Sequence, residues 1–458
     1  MKAHRFDPTL LRDYDLRGTV GQNLNGADAH ALGRSFGTVI RRKGGSRVAV
    51  GHDGRLSSPM LESALVDGLA QAGVGVLRIG LACTPMLYYA EAVEQVDGAI
   101  EVTGSHNPGD QNGFKLVHRH APYFGEAIQD LGKMAAAGDW EWGTGRVDTI
   151  DIMDRYVARL LDGFDGPACR IGWDAGNGVA GPVIEALTQR LPGEHHLLFT
   201  QVDGHFPNHH PDPSIETNLG ALRALVLDKQ LDFGVAFDGD ADRIGVVDGQ
   251  GRTIWGDQLL GLFARDVLQR RPGAAIVADV KTSQAVFDLI GTLGGRPDMW
   301  KTGHSHIKSR MKQIGASLGG EMTGHLFFAD DYFGYDDGLY AAVRLIGAVG
   351  RLGRSVADLH DTMPRLPSTP ELRIPVAEDR KFLLVDEIRA RLRTTGATMT
   401  ELDGVRVRSR DGWWLLRASN TQAALVARAE SSDSKGLRRL LSEMEFQLAQ
   451  AGLPWEFS

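Results

Sequence analysis

Three times along the chain a short β-rich run ends in an aspartate and opens into a loop: Arg47 to Asp53 ("RVAVGHD"), Arg170 to Asp174 ("RIGWD") and Ala274 to Asp279 ("AAIVAD"). Self-similarity at a spacing of roughly a hundred residues means that one supersecondary unit is built three times over. The first copy shows what that unit is. Ser58 stands where a helix N-cap belongs, Pro59 suits the first helical position, and "MLESALVDGLAQAG" repeats apolar residues at helical spacing until Gly73. The run "VGVLRIG" then reads as a second strand. Strand, helix, strand is a βαβ unit, whose strands must pair in parallel. The expectation is three related α/β domains with mixed sheets, over residues 1–150, 151–253 and 254–365.

The rest of the chain follows another plan. "MPRLPSTPELRIP", Met363 to Pro375, is the strongest linker signal in the sequence. Beyond it, strand-like runs separated by Asp411-Gly412 and by Ala418 to Thr421 lead to a terminal helical stretch. A smaller α+β domain is expected over residues 366–458. Bulk properties narrow the function. The formal net charge of −8 argues against a nucleic-acid binder, which needs a basic face. No apolar run approaches the roughly 18 residues of a membrane span, and nothing resembles a signal peptide. Two cysteines, Cys83 and Cys169, in 458 residues fit a reducing cytoplasm rather than a disulfide framework. No heptad or exposed apolar helix marks a subunit interface, so a monomer or weak dimer is expected.

The sharpest chemical motif is "FDGDADR" after the apolar run "FGVAF". Asp238, Asp240 and Asp242 alternate, so in an extended segment all three carboxylates face one side. Clustered carboxylates repel unless a cation neutralises them, and hard oxygen ligands suit Mg²⁺ or Ca²⁺. An EF-hand is excluded, because its sixth position would be Arg243 instead of Gly and its twelfth Gly249 instead of Glu. In "VTGSHNP", Ser105 precedes His106, but adjacent side chains diverge on an extended chain and no G-x-S-x-G elbow is present. Taken alone, that stretch is equally a polar turn or a nucleophile loop. "GGEMTGH" offers Glu321, Thr323 and His325, a set able to read vicinal sugar hydroxyls, although an ordinary loop fits as well. "RASNT" supplies Arg417, Ser419, Asn420 and Thr421 for a phosphate cradle, again no more than a common polar turn by itself.

Together and in this order the motifs resemble the α-D-phosphohexomutase superfamily, in its bacterial phosphomannomutase/phosphoglucomutase branch. The likeness runs from "YDLRG" at Tyr14 through "TGSHNP", "DGDADR" and "GEMTGH" to "RASNT". It implies a heart-shaped, four-domain architecture of three α/β domains and a smaller α+β one. It implies that Ser105 carries a phosphoryl group, with Mg²⁺ held by that phosphate and by Asp238, Asp240 and Asp242. A hexose 1-phosphate would then pass through glucose 1,6-bisphosphate, or its mannose counterpart, to the 6-phosphate.

The resemblance assigns further roles. Lys115 and Arg243 would flank the transferring group, with Arg17 helping and Tyr14 beside it. Arg417, Ser419, Asn420 and Thr421 would hold the idle phosphate, and Glu321 and Thr323 the sugar's 3- and 4-hydroxyls. Lys281 and His304 match ligand-contacting positions, and His325 is the candidate for proton transfer. The implied partners are small sugar phosphates, without nucleic acid or membrane. Thr323 departs from the serine common in this branch. Met322 stands where glucosamine phosphate mutases usually have Gln, which favours glucose and mannose phosphates over glucosamine phosphate. A Mg²⁺-dependent sugar-phosphate phosphatase and a non-catalytic sugar-phosphate binder are the rival readings.

Overall fold

The computed structural model describes residues 3–420 and 422–457. The triplicated aspartate run supplies an interior strand, paired on both sides, in each of three sheets. Arg47–His52 pairs in parallel with Gly75–Leu81 on one side and Gly98–Val102 on the other, and the latter turns back into antiparallel Gln111–His118. Cys169–Asp174 is flanked in the same way by Gly193–Leu198 and Phe233–Phe237, with Ile244–Asp248 as the return strand. Ala275–Asp279 repeats it with Arg296–Trp300, Leu318–Gly320 and Leu326–Phe328. Parallel neighbours need long crossovers, and helices supply them: Ser58–Gln71 and Thr84–Val93 in the first unit, Gln284–Thr292 and His304–Ile314 in the third. The return strand needs only a tight connection. Each unit therefore carries one short loop clamped at both ends by an antiparallel ladder.

Those three equivalent loops hold "TGSHNPGD", "DGDADR" and "EMTGH". The repeat thus does more than build the fold. It delivers three motifs to the same corner of three successive units.

The aspartates that end the repeated run fix the loops around them, and Asp53 holds a corner directly. Asp53 Oδ2 accepts from Gly104 N at 3.0 Å and Thr103 Oγ1 at 2.9 Å, pinning the Ser105 loop. Asp174 accepts from Gly176 N at 2.9 Å, and Asp279 from Thr282 Oγ1 at 2.8 Å. This also corrects the cap assignment. The helix begins at Ser58 with Ser57 before it, and the Ser58 hydroxyl donates to Asp53 Oδ1 at 2.5 Å instead of capping.

The fourth domain is a five-stranded antiparallel sheet, in the order Leu372–Pro375, Ala424–Ser431, Gly412–Ala418, Val405–Ser409 and Met399–Thr400. Helices Lys381–Thr394 and Ser434–Gln450 accompany it and bury Leu384, Ile388, Met444 and Leu448 in a core of its own. The second and third domains instead share one continuous core, which also takes in one face of the first domain. A polar seam ties the fourth domain to the third. Arg406 donates to Val280 O at 2.8 Å and Thr282 O at 2.9 Å, with its guanidinium 3.7 Å from the Trp413 ring centroid. Arg428 reaches Asp257 at 3.0 Å. No helix among the described residues is long and apolar enough to cross a membrane.

Candidate active site

The serine loop is built around a left-handed turn. Ser105 has φ of 50°, a conformation that a side chain other than glycine's adopts only when its surroundings hold it. Arg55 does the holding. Its buried guanidinium donates to the carbonyls of Ser105 at 2.7 Å, Asn107 at 2.6 Å and Gln111 at 2.9 Å, while Asp53 neutralises it. A Cβ on Gly104 would sit 2.2 Å from Arg55 Nε, so only glycine admits this clamp.

The turn also changes the relation between Ser105 and His106. The extended chain expected from sequence separates them, but the positive φ swings the side chains together, leaving Ser105 Oγ 3.1 Å from His106 Nδ1. Burial, with Arg243 and Arg17 nearby, pushes the imidazole well below its ordinary pKa and keeps it neutral.

Ser105 Oγ donates to Asp238 Oδ2 at 2.8 Å, across the boundary between the first two domains. The close approach depends on Gly239, where a Cβ would meet Ser105 O at 2.4 Å. The three aspartates do converge, though not as the alternation argument had it. The segment after Phe237 is a turn with Ala241 at φ 61°, and the turn rather than a pleat gathers the carboxylates. Ligand oxygens of Asp238, Asp240 and Asp242 lie within 4.8 Å of one another, all fully buried.

Two of their oxygens, Asp240 Oδ1 and Asp242 Oδ1, are buried with no hydrogen-bond partner. Orphaned buried acceptors within a carboxylate triad are what a hard divalent cation satisfies, so these residues fit Mg²⁺. In the protein alone, Lys115 Nζ partly compensates them, at 2.7 Å from Asp240 Oδ2 and also in contact with Asp242 Oδ2. Burial would lift the Asp240 carboxyl, but Lys115 and Thr84 outweigh it and hold Asp240 below the usual range. Burial and the two neighbouring carboxylates raise Asp238.

Opposite lies the cavity itself, about 380 Å³. Every described candidate residue outside the three aspartates lines it, which brings all four domains to one place. Arg17 donates from Nε to Asp15 at 2.7 Å and from a terminal nitrogen to Gly104 O. Glu321 accepts from Gly303 N and is raised by burial, and Thr323 is half-buried beside it. The His304 and His325 rings stack at 5.6 Å. Arg243 Nε donates to His325 Nε2 at 2.9 Å.

On the fourth-domain side, Arg417 Nε donates to Asp403 at 2.9 Å, while one terminal nitrogen is buried and unpartnered. Ser419 Oγ accepts from Gln422 N at 3.1 Å. Asn420 Nδ2 donates to Tyr14 Oη, which itself donates to Thr302 O at 2.8 Å, closing the site between the first and fourth domains. Thr421 lies outside the described residues. Two contributors to the site, one behind the serine loop and one on the cavity wall, escaped the sequence reading. Arg55 is one. Glu371 is the other: it sits 2.9 Å from Lys281 Nζ in the anion cradle, where Lys281 and Arg373 overcome burial and depress it to about 2. Neither has a local motif, because each acts on a partner distant in sequence.

Family models for phosphoglucomutase/phosphomannomutase match in chain order: α/β/α domain I at residues 8–139, domain II at 154–251, domain III at 255–366 and the C-terminal domain at 371–445. The chain belongs to the phosphoglucomutase/phosphomannomutase family. It is therefore an enzyme, a phosphotransferase of the mutase type. The phosphomannomutase/phosphoglucomutase of Pseudomonas aeruginosa is 42% identical over 100% of this chain and 99% of its own length. A phosphoglucomutase of Neisseria meningitidis is 41% identical over 95% of this chain and 96% of its own. A crystal structure of a family protein from Burkholderia thailandensis superposes with a TM-score of 0.92 at 41% identity, covering 98% of this chain and 100% of that one. The fold extends to an Aspergillus fumigatus N-acetylphosphoglucosamine mutase solved with glucose 1,6-bisphosphate, at a TM-score of 0.65 and 14% identity, over 98% of this chain and 97% of that one.

Proposed function

We propose that this mutase interconverts hexose 1-phosphates and hexose 6-phosphates of glucose and mannose through a phosphoserine at Ser105 and a hexose 1,6-bisphosphate that turns over in the site. The observation that carries the reading is Ser105 Oγ, held in a strained turn 2.8 Å from Asp238 and lining a cavity whose fourth-domain wall carries Arg417 with one terminal nitrogen unpartnered. A lone serine hydroxyl is a poor nucleophile. As a phosphoryl carrier beside three carboxylates it makes sense, since a bound Mg²⁺ would draw charge from the phosphoryl oxygens. Asp238, Asp240, Asp242 and the phosphorylated Ser105 would hold that ion.

The residues then divide the work. The 6-hydroxyl oxygen of a hexose 1-phosphate bonds to phosphorus as the bond from phosphorus to Ser105 Oγ breaks. Net, one proton moves from the sugar hydroxyl to the serine oxygen, with His325 receiving it first. Lys115, Arg243 and Arg17 offset charge spread over the transferring oxygens. Arg417, Ser419, Asn420 and Thr421 hold the idle phosphate, with Lys281 and His304 contributing contacts. Glu321 and Thr323 hold the 3- and 4-hydroxyls, which exchange places approximately when the bisphosphate turns end for end. The 2-position goes unread, so glucose and mannose both serve. Arg12 with Glu378 at 3.6 Å, and Tyr14 with Asn420, bridge the first and fourth domains and keep the bisphosphate from escaping. The bisphosphate bound by the Aspergillus relative supports this intermediate.

Incubation with glucose 1-phosphate, Mg²⁺ and catalytic glucose 1,6-bisphosphate should yield glucose 6-phosphate, with mannose 1-phosphate converted comparably and glucosamine 1-phosphate poorly. Stoichiometric free phosphate without isomerisation would establish the phosphatase instead. Arg417→Ala should raise KM about 10- to 100-fold with kcat changed only a few-fold. A charge-assisted bond to phosphate is worth about 1.5–3 kcal/mol, and this one is made in ground and transition states alike. Steady-state kinetics on the 1-phosphate would check it.

A further inference from the structure

The ring of His325 has a partner that the reaction scheme above does not use. Asp336 is fully buried between the return strand Leu326–Phe328 and helix Gly338–Leu352. Its Oδ2 lies 3.0 Å from His325 Nδ1. Asp242 and His304 are the other near groups, Asp242 Oδ1 at 3.5 Å from that nitrogen and His304 Nδ1 at 3.8 Å from that oxygen. The second carboxylate oxygen, Oδ1, accepts from Lys308 Nζ at 2.8 Å. Lys308 is fixed in turn, with Nζ 3.3 Å from Tyr88 Oη and 4.3 Å from the Tyr88 ring centroid.

The other side of the ring decides the tautomer. A guanidinium N–H only donates, so the 2.9 Å bond from Arg243 Nε makes His325 Nε2 an acceptor carrying its lone pair. The ring proton is then on Nδ1, 3.0 Å from Asp336 Oδ2, in a close electrostatic contact whose angle is too bent for a hydrogen bond in the protein alone.

We propose that Asp336, anchored by Lys308, is the positioning residue that keeps His325 in the tautomer able to take a proton on Nε2. The inference rests on the mutase reading above. When the attacking sugar hydroxyl gives its proton to Nε2, the ring becomes an imidazolium with a carboxylate 3.0 Å from its second nitrogen, and that charge pairing draws the N–H and the carboxylate together. Arg243, the resting partner of Nε2, is then free for the phosphoryl oxygens. A divalent ion shared by Asp242, His325 and Asp336 is the competing arrangement, since their ligand atoms lie within 4.8 Å of one another. Three cations oppose it: Lys115 on Asp242, Lys308 on Asp336 and Arg243 on His325.

The test compares wild type, Asp336→Asn, His325→Ala and the double variant. Asp336→Asn should lower kcat about 10²-fold, the scale of one positioned proton acceptor, with KM within about twofold. In the His325→Ala background the same change should alter kcat by less than about twofold, because both substitutions disable one device. Lys308→Met should lower kcat in the same direction by a smaller factor, and serves if Asp336→Asn folds poorly. Imidazole ¹⁵N shifts of the metal-free protein should show the Nδ1–H tautomer at His325, and its loss in Asp336→Asn. Near wild-type kcat in Asp336→Asn and Lys308→Met, equal losses in both backgrounds, an Nε2–H ring in the wild type, or two metal ions per chain would each overturn the proposal. A wild-type enzyme that fails to isomerise would count against the mutase reading alone, and the ¹⁵N result would still decide the role of Asp336.

Discussion

Replacing Ser105 by alanine should remove turnover almost completely, by about 10⁴-fold or more in kcat. Every productive cycle in the proposed scheme begins and ends with a phosphoryl group on this one oxygen, so losing it deletes the covalent step rather than weakening a contact. The change should cost little stability. Among the described residues Ser105 Oγ bonds only to Asp238 and His106, whereas the clamp from Arg55 reaches backbone carbonyls that alanine retains. The strained φ of 50° is equally unfavourable for both residues. Kinetics with glucose 1-phosphate should therefore show no isomerisation from a protein that melts close to wild type. Intact mass should show a phosphoryl group on a fraction of wild-type molecules and on none of the variant. Near wild-type turnover in Ser105→Ala would refute the phosphoserine role. Water in place of the hydroxyl cannot store the phosphoryl group between half-reactions.

The legibility of this site in the sequence follows a physical rule. Asp53, Asp174 and Asp279 announced the triplicated unit because each ends or directly follows an interior strand of its sheet, a local pattern of apolar run, acid and loop. The strand order around them could not be read, since pairing is a property of distant segments. The acidic loop is recognisable from its spacing, yet D-x-D-x-D gathers its carboxylates by alternation only on a pleated strand. What gathers the carboxylates is a turn through Ala241, and several backbones can bring three nearby acids together. The Ser105–His106 contact was missed for the same reason, because a single positive φ reverses the geometry of adjacent side chains. Arg55, Glu371 and Asp336 were invisible for another. Each sits among local charges that give no motif and acquires its meaning only from a partner that the fold brings to it, such as the Ser105 carbonyl, Lys281 or His325.

Lys115→Met should show two large effects that separate in the presence of magnesium. Lys115 Nζ is buried against Asp240 and Asp242, and their attraction outweighs the burial that would otherwise favour the neutral amine, so the ammonium persists. Methionine preserves the side-chain length and removes the charge. Taking one partner from a buried ionic cluster leaves the other charges uncompensated, at a cost of about 3–5 kcal/mol. With EDTA present, the melting transition should fall by about 10 °C, the scale such a loss implies for a domain of this size. Excess Mg²⁺ should restore most of that shift in the variant and raise the wild type much less, because the ion supplies the charge that the lysine had provided. Activity should not return with it. In the proposed scheme Lys115 stabilises charge on the transferring phosphoryl group, so kcat should stay about 10³-fold low at saturating Mg²⁺. Equal melting temperatures for the two proteins in EDTA would show that Lys115 does not compensate the acidic loop. Recovery of kcat along with stability would show that its role is structural only, leaving Arg17 and Arg243 as the cations beside the phosphoryl group.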